Sequence, residues 1–210
     1  MLSYQDLSLF FITSLLLNLT PGNDMMYVLS RSISLGVRAG IISATGIFIG
    51  CFFHIIAAIF GLSLIIAKSA FLFDLIKFVG AVYLIYLGCN ALFIRPELKE
   101  DLKKLPGINN RKLLKQGMIT NIFNPKVALF FLSFLPQFAD AASPFFKWQL
   151  FTLGLWFNMQ GMLILIIVAW LSGKTSGFIK QHRKLWNIQQ KLTGLILIIL
   201  GIRIALTSKK

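Results

Sequence analysis

Long apolar runs, repeated from one end of the chain to the other, constrain this sequence more than any motif does. Six stretches reach the roughly 20 residues that an α-helix needs to cross a bilayer. They cover about Leu7–Ser30, Ala39–Ala67, Ala70–Phe93, Leu113–Pro136, Lys147–Leu171 and Lys191–Thr207. A soluble fold of 210 residues cannot hide that much apolar surface. Hydrophobic residues make up 57% of the chain and charged residues only 13%, about half the usual globular share, and the mean hydropathy is +0.78. The chain reads as an all-α, polytopic membrane protein of six transmembrane helices, with residues 1–210 as one transmembrane domain. No Lys or Arg precedes Arg31, so the first run lacks the basic flank of a signal peptide and is expected to stay in the mature protein.

The net charge of +14 raises nucleic acid as a partner. The charges cluster between apolar runs instead of striping a surface, so they read as membrane topology and no nucleic-acid partner is expected. Fourteen of the 21 Lys and Arg residues lie in or at the edge of the loops after spans one, three and five, namely Arg31–Arg38, Ile94–Lys115 and Ser172–Gln190. By the positive-inside rule these loops face the cytoplasm and both termini face outward. Residues 94–112, with Pro96, Pro106 and Gly107, form a basic linker with room for a short amphipathic helix, between halves 1–93 and 113–210. Ser3 and Asp6 suit a capping box ahead of the first span, Lys68 a short turn, and Gln137–Phe146 another. Cys51 and Cys89 sit in apolar runs without disulfide or metal spacing and read as packing residues.

Two of the apolar runs are interrupted. Asn18-Leu-Thr-Pro-Gly-Asn-Asp24 breaks the first, and Asn121-Ile-Phe-Asn-Pro-Lys126 breaks the fourth. Proline removes a backbone donor and glycine loosens a helix. Pro21 and Pro125 stand 104 positions apart, about half the chain. The same shift matches His54 with Asn158. A shift of 114 matches Lys77-Phe-Val-Gly80 with Lys191-Leu-Thr-Gly194, each followed by an apolar run ending in Leu-Gly. Three spans per half is an odd number, so the halves must insert with opposite orientation. The expected fold is an inverted-topology repeat with helices 1 and 4 broken, an architecture that many secondary transporters use for alternating access.

Breaking a helix at mid-membrane frees backbone N–H and C=O groups that protein, water or ligand must satisfy. Asn18, Thr20, Pro21, Gly22, Asn23, Asp24, Asn121, Asn124, Pro125 and Lys126 are therefore candidate substrate-binding residues. The same Asn and Thr side chains can instead simply cap the broken helices. Asp24 and Lys126 are the ionisable groups closest to the breaks. They can pair with each other or face a wet cavity, and Lys126 can also snorkel. One acid and one base suit the ammonium and the carboxylate of an amino acid. Asp24 is the leading proton-coupling candidate, with His54 the second. His54 and Asn158 are pathway-lining candidates that can equally be packing residues, and Gln160 is a weaker polar position. No catalytic arrangement, metal cluster or phosphate loop occurs, so no enzyme activity and no cofactor is expected. A nucleotide-binding domain is absent, so transport would run on an ion gradient, exchange or a separate partner. A membrane-embedded enzyme using His54 and Asp24, or a non-transporting structural subunit, are the competing readings. Gly46-x-x-x-Gly50 provides a close-packing face, which can serve a homodimer or contacts within one chain.

The residues also carry a family likeness. Thr20-Pro-Gly-Asn-Asp24-Met-Met-Tyr-Val-Leu-Ser-Arg-Ser32 resembles the first-span motif of the lysine-exporter superfamily, closest to its homoserine/threonine-resistance branch. Ile76–Gly88 resembles that family's third span. Gln116–Lys126 through Phe134-Leu-Pro-Gln-Phe138 resembles its fourth, and Gly194–Leu206 its sixth. The resemblance implies an exporter of amino acids or close derivatives in the bacterial inner membrane, driven by the proton gradient. Two departures stand out. The branch usually has proline where Asn23 stands, and an acid is common where Cys51 stands. The latter change places more of any proton coupling on Asp24. A single acid and base at the breaks favour small neutral substrates such as homoserine, threonine or leucine over lysine or arginine.

Overall fold

A computed structural model describes residues 4–62, 70–93, 109–174 and 183–206. Among these residues the chain is helical without strands. Helix α1 (Tyr4–Leu19) stops before Pro21, and α2 (Asn23–Leu35) restarts after Gly22. The first apolar run is thus broken where the sequence places proline and glycine. Helix α2 continues beyond Ser30, so the expected loop Arg31–Arg38 shrinks to the single residue Gly36, and α3 (Val37–Ala57) begins at once. Gly36 has φ 87°, a conformation that is costly for residues with a Cβ, which is why a one-residue corner can join two helices here.

Helix α3 runs on as a π-helical turn, Ala58–Leu62; the remainder of the expected second span and Lys68 lie outside the described residues. Helix α4 covers Ala70–Phe93, as the apolar run predicts. The linker's residues 94–108 also lie outside the described residues, as does Ser3 of the expected capping box. Helix α5 (Asn110–Ile122) is capped by Asn109, whose Oδ1 accepts the Arg111 N–H at 3.1 Å. After a break comes α6 (Pro125–Leu129), which passes through a π-helical stretch, Phe130–Phe134, into a 3₁₀ turn, Leu135–Phe138. Helices α7 (Phe146–Lys174) and α8 (Arg183–Leu206) complete the set. The expected basic loop Ser172–Gln190 is therefore shorter than its composition suggests. Polar residues can extend a helix past the apolar core, and α8 begins eight residues before its apolar run.

Val37–Gly61 and Phe146–Gly173 are long and apolar enough to cross a membrane. Asn110–Ile122 with Pro125–Phe138 forms a third such unit, bent by 46° at its break. Leu7–Leu19, Phe78–Phe93 and Gln190–Ile199 are shorter apolar helices. Ile12, Phe53, Phe60, Trp148, Leu163 and Leu192 are exposed, whereas Thr13, Ser14, Ser43, His54, Asn121, Asn124 and Asn158 are buried. Such an apolar exterior around polar interior groups suits lipid as the surrounding solvent. The core is aromatic: the Phe130 and Phe157 rings stack at 4.3 Å, and Phe10 meets Phe138 edge-on at 5.4 Å.

Helix α3 packs against α5 and α7, α1 and α2 against α7, and α4 against α8. Glycines set two of these approaches. A methyl group on Gly46 would collide with the Leu114 carbonyl, and one on Gly50 would lie 2.7 Å from the Met118 carbonyl. The Gly46/Gly50 face is thus occupied by α5 of the same chain. Gly88 and Gly194 fit each other reciprocally, each so close that an added Cβ would lie 2.6 to 2.7 Å from the other's carbonyl oxygen. Backbone cannot yield as a side-chain end can. Gly46→Ala and Gly88→Ala are expected to destabilise the fold by about 1–3 kcal/mol or more. Gly61→Ala, whose Cβ meets nothing within 4 Å, serves as the control. Thermal midpoints of the detergent-purified variants check this.

Candidate transport site

The two proline breaks create the same chemical problem twice. In an α-helix the carbonyl of residue i bonds the N–H of residue i+4. Pro21 therefore leaves the Leu17 carbonyl without its donor, and Pro125 does the same to Asn121. Each carbonyl recovers a tighter local bond, from Thr20 N–H to Leu17 O at 3.2 Å and from Asn124 N–H to Asn121 O at 2.9 Å. Each also receives a side chain from the other half. Lys126 Nζ donates to Leu17 O at 3.1 Å and to Thr20 O at 2.9 Å. His54 Nε2–H donates to Asn121 O at 2.9 Å; a carbonyl can only accept, so the ring nitrogen carries the proton there.

Local sequence explains this geometry. Asn124 caps α6 by accepting the Lys126 N–H at Oδ1, 3.0 Å, and Pro125 takes the first helical position, where no N–H is needed. Gly22 leaves room for the lysine: a Cβ there would stand 3.1 Å from Lys126 Nζ. The ammonium thus reaches the C-terminal end of α1, where the helix dipole favours a cation. Asp24 lies in the first turn of α2, where the dipole favours an anion. The two charges are met by half-helix ends and polar neighbours; Asp24 Oδ2 accepts from Asn121 Nδ2 at 2.8 Å. Asp24 Oδ1, Asn121 Oδ1 and Asn124 Nδ2 are buried with no hydrogen-bond partner.

Two cavities meet at Lys126. The smaller, about 40 Å³, is lined by Asn18, Asp24, Cys51, Asn121, Lys126 and Asn158 among others, and has space for a few waters. The larger, about 320 Å³, is bounded by Thr20–Asn23, Asn124–Lys126 and residues of α2, α4 and α8. The sequence candidates thus divide. Asn18, Asp24, Asn121 and Asn158 face the small cavity; Thr20, Pro21, Gly22, Asn23, Asn124 and Pro125 face the large one; Lys126 faces both. Asn18 also donates to Phe157 O at 3.1 Å and meets Gln160 Oε1 at 3.4 Å, while Asn158 donates to Phe48 O at 3.0 Å. His54 lines neither cavity; it is buried against Asn121 O with its ring stacked on Phe131 at 5.9 Å.

Sequence reasoning missed Tyr83, Asn90 and Gln190, which line the larger cavity. The available signal was a polar pair, Tyr83 and Asn90, seven positions apart on one face of an otherwise apolar helix. It also missed the clasp between α2 and α5, where Tyr27 Oη donates to Leu113 O at 2.9 Å and Arg31 lies 5.1 Å over the Tyr27 ring.

Residues 15–208 match the LysE type translocator family. The chain belongs to that family. A protein of Bacillus subtilis described as uncharacterized membrane protein YrhP is 31% identical over 195 residues, covering 89% of this chain and 92% of that one. Leucine efflux proteins of Salmonella typhimurium and Salmonella typhi are each 26% identical over 196 residues, 93% of this chain and 92% of theirs. No solved structure gives a significant match. The chain is thus a multi-pass membrane protein of a translocator family.

The role of His54 as a donor to the Asn121 carbonyl can be tested by substitution. His54→Phe keeps the ring packing and removes the carbonyl's side-chain donor, leaving the Asn124 N–H, so a loss of about 0.5–1.5 kcal/mol is expected. His54→Gln retains a donor and should recover part of it. Thermal unfolding of the purified variants measures both.

Proposed function

We propose that this LysE type translocator exports small neutral amino acids, such as homoserine, threonine or leucine, across the bacterial inner membrane in exchange for protons. The observation that carries the reading is the crossed pair at the breaks, Lys126 on the Leu17 and Thr20 carbonyls and His54 on the Asn121 carbonyl. A shift of 104 positions relates Leu17, Thr20 and Pro21 to Asn121, Asn124 and Pro125, and their backbone bonds follow one pattern. The helix pairings are consistent with the same relation. If α1–α4 (residues 1–93) and α5–α8 (113–210) are the two halves of an inverted repeat of six spans, then α3 against α5 corresponds to α7 against α1 and α2. On that relation α4 against α8 and α3 against α7 map onto themselves.

Discontinuous helices at a repeat interface are the usual setting of a secondary-transport site. Asp24 would meet the substrate ammonium and Lys126 its carboxylate, with Asn18, Thr20, Asn23, Asn121 and Asn124 adding hydrogen bonds around Pro21, Gly22 and Pro125. Asp24, with one oxygen unpartnered beside a small cavity, is the proton carrier in this reading; His54 is the second candidate, and Asn158 lines the route. Two cavities divided at a single lysine suit alternating access. The relatives described as leucine efflux proteins favour an amino acid as cargo. The basic loops orient the chain with both termini outside.

Cells loaded with dipeptides that release single amino acids provide the test. The wild-type chain is expected to speed efflux of a few neutral amino acids several-fold, and an uncoupler to collapse the effect. Asp24→Asn and Lys126→Ala should each reduce efflux to background at unchanged membrane abundance. Full efflux in both variants would overturn the site assignment. Lower abundance with no change in any flux would point to a structural subunit.

A further inference from the structure

The larger cavity has a wall that the broken helices do not supply. Tyr83, Leu87, Asn90 and Ala91 come from α4, at the i, i+4, i+7, i+8 spacing of a single helix face, and Gln190 comes from α8. Asn90 is half-buried and Gln190 buried, and no side-chain hydrogen bond occupies either amide among the described residues. Lys126, on another wall of the cavity, has an N–H that the Leu17 and Thr20 carbonyls do not use. A donor on one wall and free amides on another suit a ligand that accepts at one end and exchanges hydrogen bonds at the other.

We propose that Asn90 and Gln190 are the specificity-determining residues of the transport site, reading the side chain of an amino acid whose carboxylate is held by Lys126. The proposal deepens the export reading and rests on it. The carboxylate end is fixed by chemistry. Lys126 uses two of its three N–H bonds on the Leu17 and Thr20 carbonyls and has a third for an acceptor. The first amides of α2 follow an N-cap, Gly22, that offers no side chain. With the carboxylate there, the substrate side chain extends toward α4 and α8. The wall it meets is rigid, because Gly88 and Gly194 bring the two backbones together. Leu87 and Ala91 supply apolar contact, while Asn90 and Gln190 supply an acceptor and donors each. Such a wall favours a side chain bearing a hydroxyl or amide over a hydrocarbon of the same size, since the hydrocarbon leaves the amides unpaired.

Threonine and valine, which have nearly the same shape, separate the two cases. The purified full chain in proteoliposomes is assayed by counterflow for kcat/KM on each. Gln190→Met and Asn90→Leu preserve volume and remove the amides. Each is expected to lower the threonine-to-valine ratio about tenfold, chiefly by raising valine transport relative to threonine. A role in packing alone would depress both substrates equally and leave the ratio unchanged. If the wild type transports both amino acids and neither wall variant moves the ratio, the assignment of Asn90 and Gln190 is overturned while export stands. If one wall variant fails to insert, the other decides. If the wild type transports no amino acid, the export reading falls, and this inference with it.

Discussion

Two carbonyl oxygens, those of Leu17 and Asn121, are the point on which the architecture turns. Proline four residues on deprives each of its helical donor. Each keeps one bond from its own turn, from the Thr20 or the Asn124 N–H, and since backbone polarity is costly in hydrocarbon, a second donor from elsewhere in the chain stabilises each break. Lys126 reaches one and His54 the other, and these contacts span 109 and 67 positions. The contacts therefore tie α6 to α1 and α3 to α5, and together they hold the broken helices in this register. The fold and the site share one solution to one hydrogen-bonding problem.

The same contacts keep two charges inside an apolar protein. A lysine or aspartate at the centre of a spanning helix costs about 2.5–3.5 kcal/mol on insertion scales. Lys126 recovers this at the carbonyl end of α1, and Asp24 at the amide end of α2 and on Asn121 Nδ2. Neither needs the other as a direct partner. In the export reading proposed above, these are the contacts that a solute's ammonium and carboxylate would replace.

Much of this was legible from residue order. The apolar runs located α4 and α7 closely and identified both breaks, because the signals are local: hydrophobicity over a helix length, and proline with its missing N–H. The short first loop and the early start of α8 were not legible. Composition marks Arg31–Arg38 and Ser172–Gln190 as polar, and polarity does not distinguish a loop from a helix that projects beyond the apolar core. Gly36 at φ 87° could be recognised as a corner only once both flanking helices were seen. Gly46 and Gly50 read as a close-packing face in either setting, and only the fold shows that α5 fills it.

Residue order alone establishes that the chain lives in a membrane as helices, that two of those helices break, and which polar residues surround the breaks. Solvent preference and backbone valence are properties of each residue and its near neighbours. It took the packing of distant segments to show that Lys126 bonds the carbonyls at the end of α1, that His54 is bound to Asn121 O outside both cavities, and that Tyr83, Asn90 and Gln190 share a cavity with the breaks. Those are contacts between segments far apart in the chain, set by how glycine-lined helices approach one another, and no local pattern encodes which distant carbonyl a side chain will meet.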